Sequence, residues 1–181
     1  LGSFTSVLEK AKQEKRMVFV DCYTSWCGPC KLMLQDVFSR EDVGQFMNAR
    51  FVNLKLDMEK GEGPELARKY QVKVYPTFLI LNENGEVIHR MVGGMKVEDF
   101  LQNVQDGTGE YSLYSYEKRY AGGERDSRFV YKYIETLSKA FMKERMEQVL
   151  HEYWATLANQ EKSNRENWSL VKRFVRDPLL P

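Results

Sequence analysis

All three cysteines of this 181-residue chain lie close together, at Cys22, Cys27 and Cys30. Sulfur atoms at such spacing can bind a metal, exchange a disulfide, or simply fill a core. The C-x4-C-x2-C pattern also occurs in plant-type iron–sulfur sites, but these need a fourth thiolate, which the chain lacks. A zinc site would need a distant histidine, and the chain has only His89 and His151. We therefore expect no metal.

Cys27 and Cys30 are better suited to thiol chemistry, because an apolar, strand-like run precedes them and a helix is predicted to follow. Backbone N–H groups at a helix N-terminus favour an anion, so the first sulfur can be a thiolate at lower pH than a free cysteine. Two intervening residues bring the second sulfur within disulfide reach, so it can attack a mixed disulfide and release the reduced partner. The spacing predicts a nucleophile at Cys27 and a resolving thiol at Cys30.

Asp21 interrupts the apolar run that leads to the cysteines. A buried carboxylate without a partner costs several kcal/mol unless it is protonated or solvated, so its presence needs a reason. One reason is chemical, since a shifted pKa is useful beside reacting thiols; the alternative is an acid at a wet strand end. Neighbouring strand residues point to opposite faces, so Cys22 faces away from the pair and fills the core if Asp21 faces it.

Strands and helices alternate through the first part of the chain, as apolar periodicity and turn residues indicate. Asn84-Gly85 is a strong hairpin turn, because both residues accept the positive φ of tight turns. Ser39 is predicted to cap a helix with an acidic first turn. This order predicts an α/β fold with a mixed central sheet and helices on both faces. The predicted strands cover residues 17–22, 51–56, 77–81 and 87–92, and the predicted helices cover residues 4–15, 30–38, 41–47, 64–70 and 97–104.

The pattern changes after residue 105, where strand-like runs end and helical periodicity continues. We predict a first domain over residues 1–105 and a small all-helical extension over residues 106–181. The extension is similar in size to tetratricopeptide-type hairpins, without a convincing signature of their roughly 34-residue repeat. Its aromatic residues mostly have core spacing, and the alternative is an exposed groove for a partner. A capping box at Ser163 and a helix stop at Asp177-Pro178 are predicted near its end.

The segment Trp26-Cys27-Gly28-Pro29-Cys30-Lys31 resembles the active site of the thioredoxin family. Asp21 stands six positions before the first cysteine of that segment, where thioredoxins carry a buried acid. Tyr75-Pro76-Thr77 corresponds to the family's cis-proline, and Asn84-Gly85-Glu86 with Val92-Gly93 corresponds to its closing hairpin and glycine. The resemblance covers roughly residues 5 to 105 and does not extend to the helical remainder.

The resemblance implies the thioredoxin fold, a central mixed sheet flanked by helices. It also implies an enzyme that catalyses thiol–disulfide exchange through Cys27 and Cys30, with no cofactor beyond that redox-active disulfide. Asp21 is then the proton acceptor for Cys30 during resolution, and a cis bond before Pro76 exposes the backbone of Tyr75 to an extended substrate. The residues expected to contact the substrate are Trp26, Gly28, Pro29, Tyr75, Pro76 and Gly93.

Two positions depart from the family pattern. Gln35 stands where many thioredoxins have a proline that kinks the active-site helix, so we expect a straighter helix. Asn53 stands where the family often has a buried lysine paired with the acid, so we expect Asp21 to lose a compensating charge.

Gly28-Pro29 between the cysteines resembles the reducing end of the family. We therefore expect a reductant of protein disulfides that is supplied by an upstream electron donor. A disulfide isomerase-like protein is one alternative, since either direction uses the same two sulfurs. The other alternative is a partner-binding protein, in which the helical extension binds and the thioredoxin-like part is a scaffold.

Charge and hydropathy argue against other classes of protein. The net charge is +1, without the basic excess of a nucleic-acid-binding protein. No apolar run approaches the roughly 20 residues of a membrane-spanning helix. The chain begins at Leu1 and not at methionine, so we expect a longer natural chain with room for a signal peptide. We expect an exported, periplasmic bacterial protein, with a cytoplasmic location as the alternative.

Overall fold

Four strands form the centre of the computed structural model, which describes residues 3–162 and 164–174. They are β1 (Met17–Tyr23), β2 (Phe51–Asp57), β3 (Thr77–Leu81) and β4 (Val87–Val92). The strand order is β2-β1-β3-β4, with β1 parallel to β2, and β3 antiparallel to both β1 and β4. The predicted mixed sheet is therefore confirmed.

Helices cover both faces of this sheet, and each face has its own apolar cluster. Alternate residues of β1 point to opposite sides, so Val18 and Val20 pack in one cluster and Phe19 packs in the other. α1 and α4 cover the first face, whereas α2, α3 and α5 cover the second. The bounds of these helices are α1 (Phe4–Glu14), α2 (Gly28–Met33), α3 (Glu41–Arg50), α4 (Gly63–Lys69) and α5 (Val97–Gly107).

The active-site helix is less regular than the sequence indicated. α2 is followed directly by a π-helical segment, Leu34–Phe38, although no proline stands at Gln35. The hydroxyl of Ser39 donates to the carbonyl of Gln35 at 2.5 Å, so this side chain is used by the preceding turn. The prediction that Ser39 caps the next helix is therefore wrong, and Arg40 is the N-cap of α3.

The chain divides into two compact units, Leu1–Ser115 and Tyr116–Pro181. The backbone N–H of Leu113 donates to Nδ1 of the buried His89 on β4, at 3.3 Å. Gly107 packs so closely against the same imidazole ring that no Cβ atom would fit there. These contacts explain why the first unit extends past residue 105, the boundary predicted from the sequence.

The described part of the second unit consists of helices. α6 (Leu113–Ala121) begins in the first unit and continues into the second. Tyr133 is fully buried and stacks on Tyr116 with 5.6 Å between ring centroids, so these aromatic residues form core. The predicted cap at Ser163 and the predicted stop at Asp177-Pro178 lie outside the described residues. None of the described helices is long and apolar enough to cross a membrane. The other helices are α7 (Ser127–Lys139), α8 (Lys143–Thr156), α9 (Asn159–Lys162) and α10 (Arg165–Phe174).

Candidate active site

Cys27 stands between the end of β1 and the start of α2, so one strand and one helix position the two sulfurs. Its backbone N–H donates to the carbonyl of Thr24 at 3.2 Å, which closes the turn after the strand. Cys27 is the N-cap of α2, and its Sγ accepts the N–H of Cys30 at 3.1 Å. Pro29 lies in the first turn, where its missing N–H costs no helical bond. The predicted nucleophile therefore receives an N–H from the helix N-terminus.

Cys27 and Cys30 form a disulfide, with 5.3 Å between their Cα atoms. The two residues are only 2% and 8% exposed, so exposure alone does not identify the attacking sulfur. The N-cap position favours Cys27, because its sulfur accepts the N–H of Cys30. Gly28 and Pro29, which separate the cysteines, are exposed.

The loops that follow α4 and β4 meet at the cysteine pair. The peptide bond between Tyr75 and Pro76 is cis, as the resemblance implied. The carbonyl of Pro76 accepts the N–H of Gly93 at 2.9 Å, and Gly93 has a φ of 93°, which favours glycine. A Cβ atom on Gly94 would lie 3.6 Å from Cβ of Pro29. The structure thus brings the cis-proline, the glycine and the cysteine loop together.

Trp26, which directly precedes Cys27, contacts one aromatic ring and one carboxylate. Trp26 is 64% exposed, and its ring meets Tyr75 edge to face with 6.0 Å between centroids. The indole Nε1 of Trp26 donates to both carboxylate oxygens of Glu59, at 3.0 Å each. Partial burial and then the nearby Glu59 carboxylate raise the pKa of Tyr75. Glu59 was not among the residues predicted from the sequence.

Asp21 is buried on the face of the sheet that α2 covers. Its side chain is on the same face as Phe19, which belongs to the apolar cluster that includes Met33 of α2. Burial raises the pKa of Asp21 to about 6, and the positive charge of Lys55 opposes that rise. At neutral pH most of the carboxylate is therefore ionised and able to accept a proton.

Lys55 corrects one prediction about this carboxylate. It lies opposite Asp21 in the parallel pairing of β1 and β2, two positions after Asn53 and therefore on the same face. Its Nζ lies 4.6 Å from the centre of the Tyr23 ring. Asn53 is exposed and donates its amide to Asn48 at 2.9 Å. The prediction that Asp21 loses its compensating charge is wrong, because Lys55 supplies a charge from a different position.

The remaining cysteine and the histidine of β4 have structural roles. Cys22 is fully buried among Val18 and Val20 on the opposite face, as strand alternation predicted. Burial, followed by the charge of Asp21, raises the pKa of the Cys22 thiol, so it is a poor nucleophile. Burial lowers the pKa of His89 to about 4, so its imidazole is neutral at pH 7. The described residues contain no group of three or more His, Cys, Asp or Glu placed to hold a metal ion.

Sequence reasoning missed Lys55 and Glu59, although the strand order could have pointed to both. Parallel neighbours end at the same edge of a sheet, so residues after β2 belong beside residues after β1. The family pattern was matched to Asn53, so no charged partner was predicted for Asp21.

Three comparisons with known proteins agree with this geometry. A thioredoxin Y of rice chloroplasts is 32% identical over 104 residues, which are 58% of this chain and 56% of that protein. A thioredoxin-like protein of Synechocystis is 32% identical over 56% of this chain and 91% of its own length. A solved structure from Bacteroides thetaiotaomicron, described as a candidate disulphide-isomerase, is 48% identical. It superimposes with a TM-score of 0.55 over 59% of this chain and 88% of that chain. The chain thus spans just over half the length of the rice protein.

The fold and the site agree on a class of protein. A disulfide at a helix N-terminus, with a cis-proline and a mixed sheet covered by helices, defines a protein of thioredoxin fold with a Cys-x-x-Cys site. Residues 4–108, more than half of the chain, match the family described as the thioredoxin-like domain. The chain therefore belongs to the thioredoxin-like family.

Proposed function

We propose that the protein reduces disulfides of other proteins by exchange through Cys27 and Cys30. The observation that carries the proposal is the N-cap position of Cys27, whose Sγ accepts a helical N–H at 3.1 Å. That contact favours the thiolate, which is the attacking form of a cysteine. Membership of the thioredoxin-like family supports the chemistry, and Gly28-Pro29 between the cysteines supports the reducing direction.

The cycle starts from the reduced protein. The Cys27 thiolate attacks one sulfur of the client disulfide, and the other client sulfur leaves as a thiolate that takes up a proton. Cys30 then loses its proton and attacks Sγ of Cys27, which forms the Cys27–Cys30 disulfide and releases the second client sulfur. The client gains two electrons from the protein and takes up two protons, one from Cys30 and one from solvent, which received it when Cys27 ionised. A thiol donor of lower reduction potential must then reduce the disulfide again.

Asp21 is the proposed acceptor of the Cys30 proton. Its raised pKa of about 6 lies close enough to neutral pH for both protonation states to be used. It is buried on the face that α2 covers, and α2 carries Cys30. A carboxylate that is 7% exposed in a largely apolar sheet is costly to bury, and proton transfer at Cys30 gives a reason for its presence.

The surface around the disulfide supports a role in binding an extended client segment. Trp26, Gly28 and Pro29 are exposed next to the buried sulfurs. Tyr75 and Pro76, together with Gly93, lie on the loops that meet this surface. These are the residues that we propose as the client-binding site.

Disulfide isomerisation is the second candidate function, and one comparison favours it. The structure from Bacteroides thetaiotaomicron that is described as a candidate disulphide-isomerase shares 48% identity with this chain. An isomerase uses the same attack by Cys27 but must return the electrons to the same client. The two functions differ in reduction potential, with the isomerase higher by about 90 mV.

The cellular location and the role of the helical extension stay predictions. An exported, periplasmic location can be tested by fractionation of the native host. A partner-binding role for the helical extension can be tested with Cys27→Ser, which removes the nucleophile while a scaffold function should persist.

The reductase proposal is tested by trapping the mixed disulfide. We expect Cys30→Ser to accumulate a covalent complex with an oxidised protein client, because resolution needs the second thiol. Cys27→Ser should form no such complex, and Cys22→Ser should turn over like the unmodified protein. Trapping by Cys27→Ser through Cys30 would show that the roles are reversed. If neither Cys30→Ser nor Cys27→Ser forms a complex, exchange through these cysteines is excluded.

A further inference from the structure

Trp26 and Glu59 meet because two parallel strands end side by side. Tyr23 at the end of β1 lies opposite Asp57 at the end of β2. Trp26 follows the first strand by three residues, and Glu59 follows the second by two. The carboxylate of Asp57 accepts the N–H of Glu59 at 3.1 Å and pairs with Nζ of Lys60 at 3.4 Å. The turn after β2 is therefore held in place with Glu59 directed at the indole.

The Glu59 carboxylate accepts its hydrogen bonds from a neutral group. Its hydrogen bonds come from an indole N–H, which is neutral, whereas the neighbouring Asp57 is paired with Lys60. Glu59 forms no ion pair with any lysine or arginine among residues 3–162 and 164–174. A carboxylate has about four lone-pair positions, so acceptor capacity remains after the indole is bound. Glu59 is also exposed, and a client can reach it.

The indole of Trp26 provides the second half of a binding surface for a cation. Tryptophan is the aromatic side chain that best attracts a guanidinium or ammonium group over its ring. Trp26 is 64% exposed, its N–H is held by Glu59, and its ring is nearly perpendicular to that of Tyr75. A planar guanidinium can lie on such a ring and donate to an adjacent carboxylate at the same time.

The position of this pair relates it to the reacting disulfide. Trp26 directly precedes Cys27, so a client side chain on the indole lies beside the disulfide that Cys27 attacks. We propose that Trp26 and Glu59 form a cation subsite, which selects client disulfides with an arginine or lysine next to the attacked cysteine. This inference deepens the proposed reductase function and rests on it.

The test uses a matched series of short peptide disulfides that differ in one residue beside the cysteine: arginine, glutamine or glutamate. The rate of oxidation of the reduced protein is followed for each peptide by tryptophan fluorescence. Each rate is divided by the rate of reduction of the same peptide by dithiothreitol, which corrects for the effect of the charge on the peptide's own sulfurs. We expect the arginine peptide to react about two- to fivefold faster than the glutamine peptide, and the glutamate peptide to react slowest.

Two variants test whether the charge of Glu59 causes the preference for the arginine peptide. Glu59→Gln keeps an oxygen that can accept the Trp26 N–H but removes the charge, so the preference should disappear. Glu83→Gln removes an equal charge from the exposed turn between β3 and β4. Because Thr77 at the start of β3 pairs with Cys22, that turn lies at the other end of the sheet, and the preference should remain.

The outcomes separate this inference from the reductase proposal. Equal corrected rates for the arginine and glutamine peptides, with all peptides reduced, would overturn the subsite and leave the reductase intact. A preference that persists in Glu59→Gln would overturn it as well. If no peptide is reduced, the reductase proposal fails and the subsite fails with it. High salt should weaken the preference, because the subsite is exposed.

Discussion

Asp21 and Lys55 lie opposite each other on two parallel strands, on the face of the sheet that the active-site helix covers. Burial raises the pKa of Asp21, and the lysine charge lowers it. Burial is the larger effect, and the result is a carboxyl with a pKa of about 6. The two residues thus place a buried carboxyl with a pKa near neutral on the face that the active-site helix covers.

Removal of this lysine charge should change the pH dependence of client reduction. Lys55→Gln removes the charge that lowers the pKa of Asp21 and leaves the effect of burial, so this pKa should rise above about 6. We expect the acid limb of the rate profile to move up, by up to about one pH unit. The measurement is the rate of client reduction from pH 5 to 9.

A matched control is Lys12→Gln, which removes an exposed charge from α1 on the other face of the sheet. Its profile should match that of the unmodified protein. If Lys55→Gln leaves the profile unchanged as well, Lys55 does not tune the base.

Neutralisation of the buried carboxylate should stabilise the protein and slow its chemistry. The pKa of Asp21 rises from an ordinary 3.8 to about 6 on folding, so the folded state resists ionisation. The contribution of Asp21 to stability is therefore full below about pH 4, is lost as the pH rises through about 6, and is constant above. Asp21→Asn should recover about 3 kcal/mol in the free energy of unfolding at pH 7.

The same variant should release the reduced client about tenfold or more slowly, because it lacks the proposed proton acceptor for Cys30. Denaturant unfolding and single-turnover kinetics measure the two effects. A variant that is stabilised but fully active would restrict Asp21 to a structural role.

His89 should produce the opposite dependence of stability on pH. Its pKa falls from an ordinary 6.5 to about 4 on folding, so the unfolded state takes up the proton first. Stability is therefore lost as the pH falls from about 6.5 to 4, by about 3 kcal/mol. Asp21 gains a similar amount over almost the same range, so the two effects nearly cancel in the unmodified protein.

Each variant should reveal the contribution of the other residue. Unfolding measured between pH 4 and 7 should show Asp21→Asn losing stability on acidification and His89→Gln gaining it. Glutamine retains an oxygen that can accept the N–H of Leu113, which limits the disturbance of the α5–α6 connection. Parallel pH curves for both variants would contradict the assigned pKa shifts.

Local sequence signals predicted the sheet well. The apolar runs and the Asn84-Gly85 turn set the bounds of β3 and β4 as the structure has them, and strand alternation placed Cys22 on the face away from the active-site helix. These features depend on neighbours in the chain, which a single sequence displays.

The sequence prediction misjudged one local hydrogen bond and missed two contacts between distant segments. Ser39 has the residue type of a cap, but its hydroxyl bonds to the preceding turn. Glu59 meets Trp26 only because β1 and β2 are parallel neighbours, and Lys55 meets Asp21 for the same reason. The pairing of β1 with β2 decides both contacts, and the sequence prediction gave the strands without their order.

The central claim is that the Cys27–Cys30 pair works as a reductant. Its most direct test is the equilibrium reduction potential of the pair, titrated against glutathione and dithiothreitol with tryptophan fluorescence as the readout. We predict a value near that of thioredoxins, about −270 mV, which lets the dithiol reduce client disulfides. A value higher by about 80 mV or more would contradict this claim and favour isomerisation. Failure of the pair to form a reversible disulfide would contradict exchange itself.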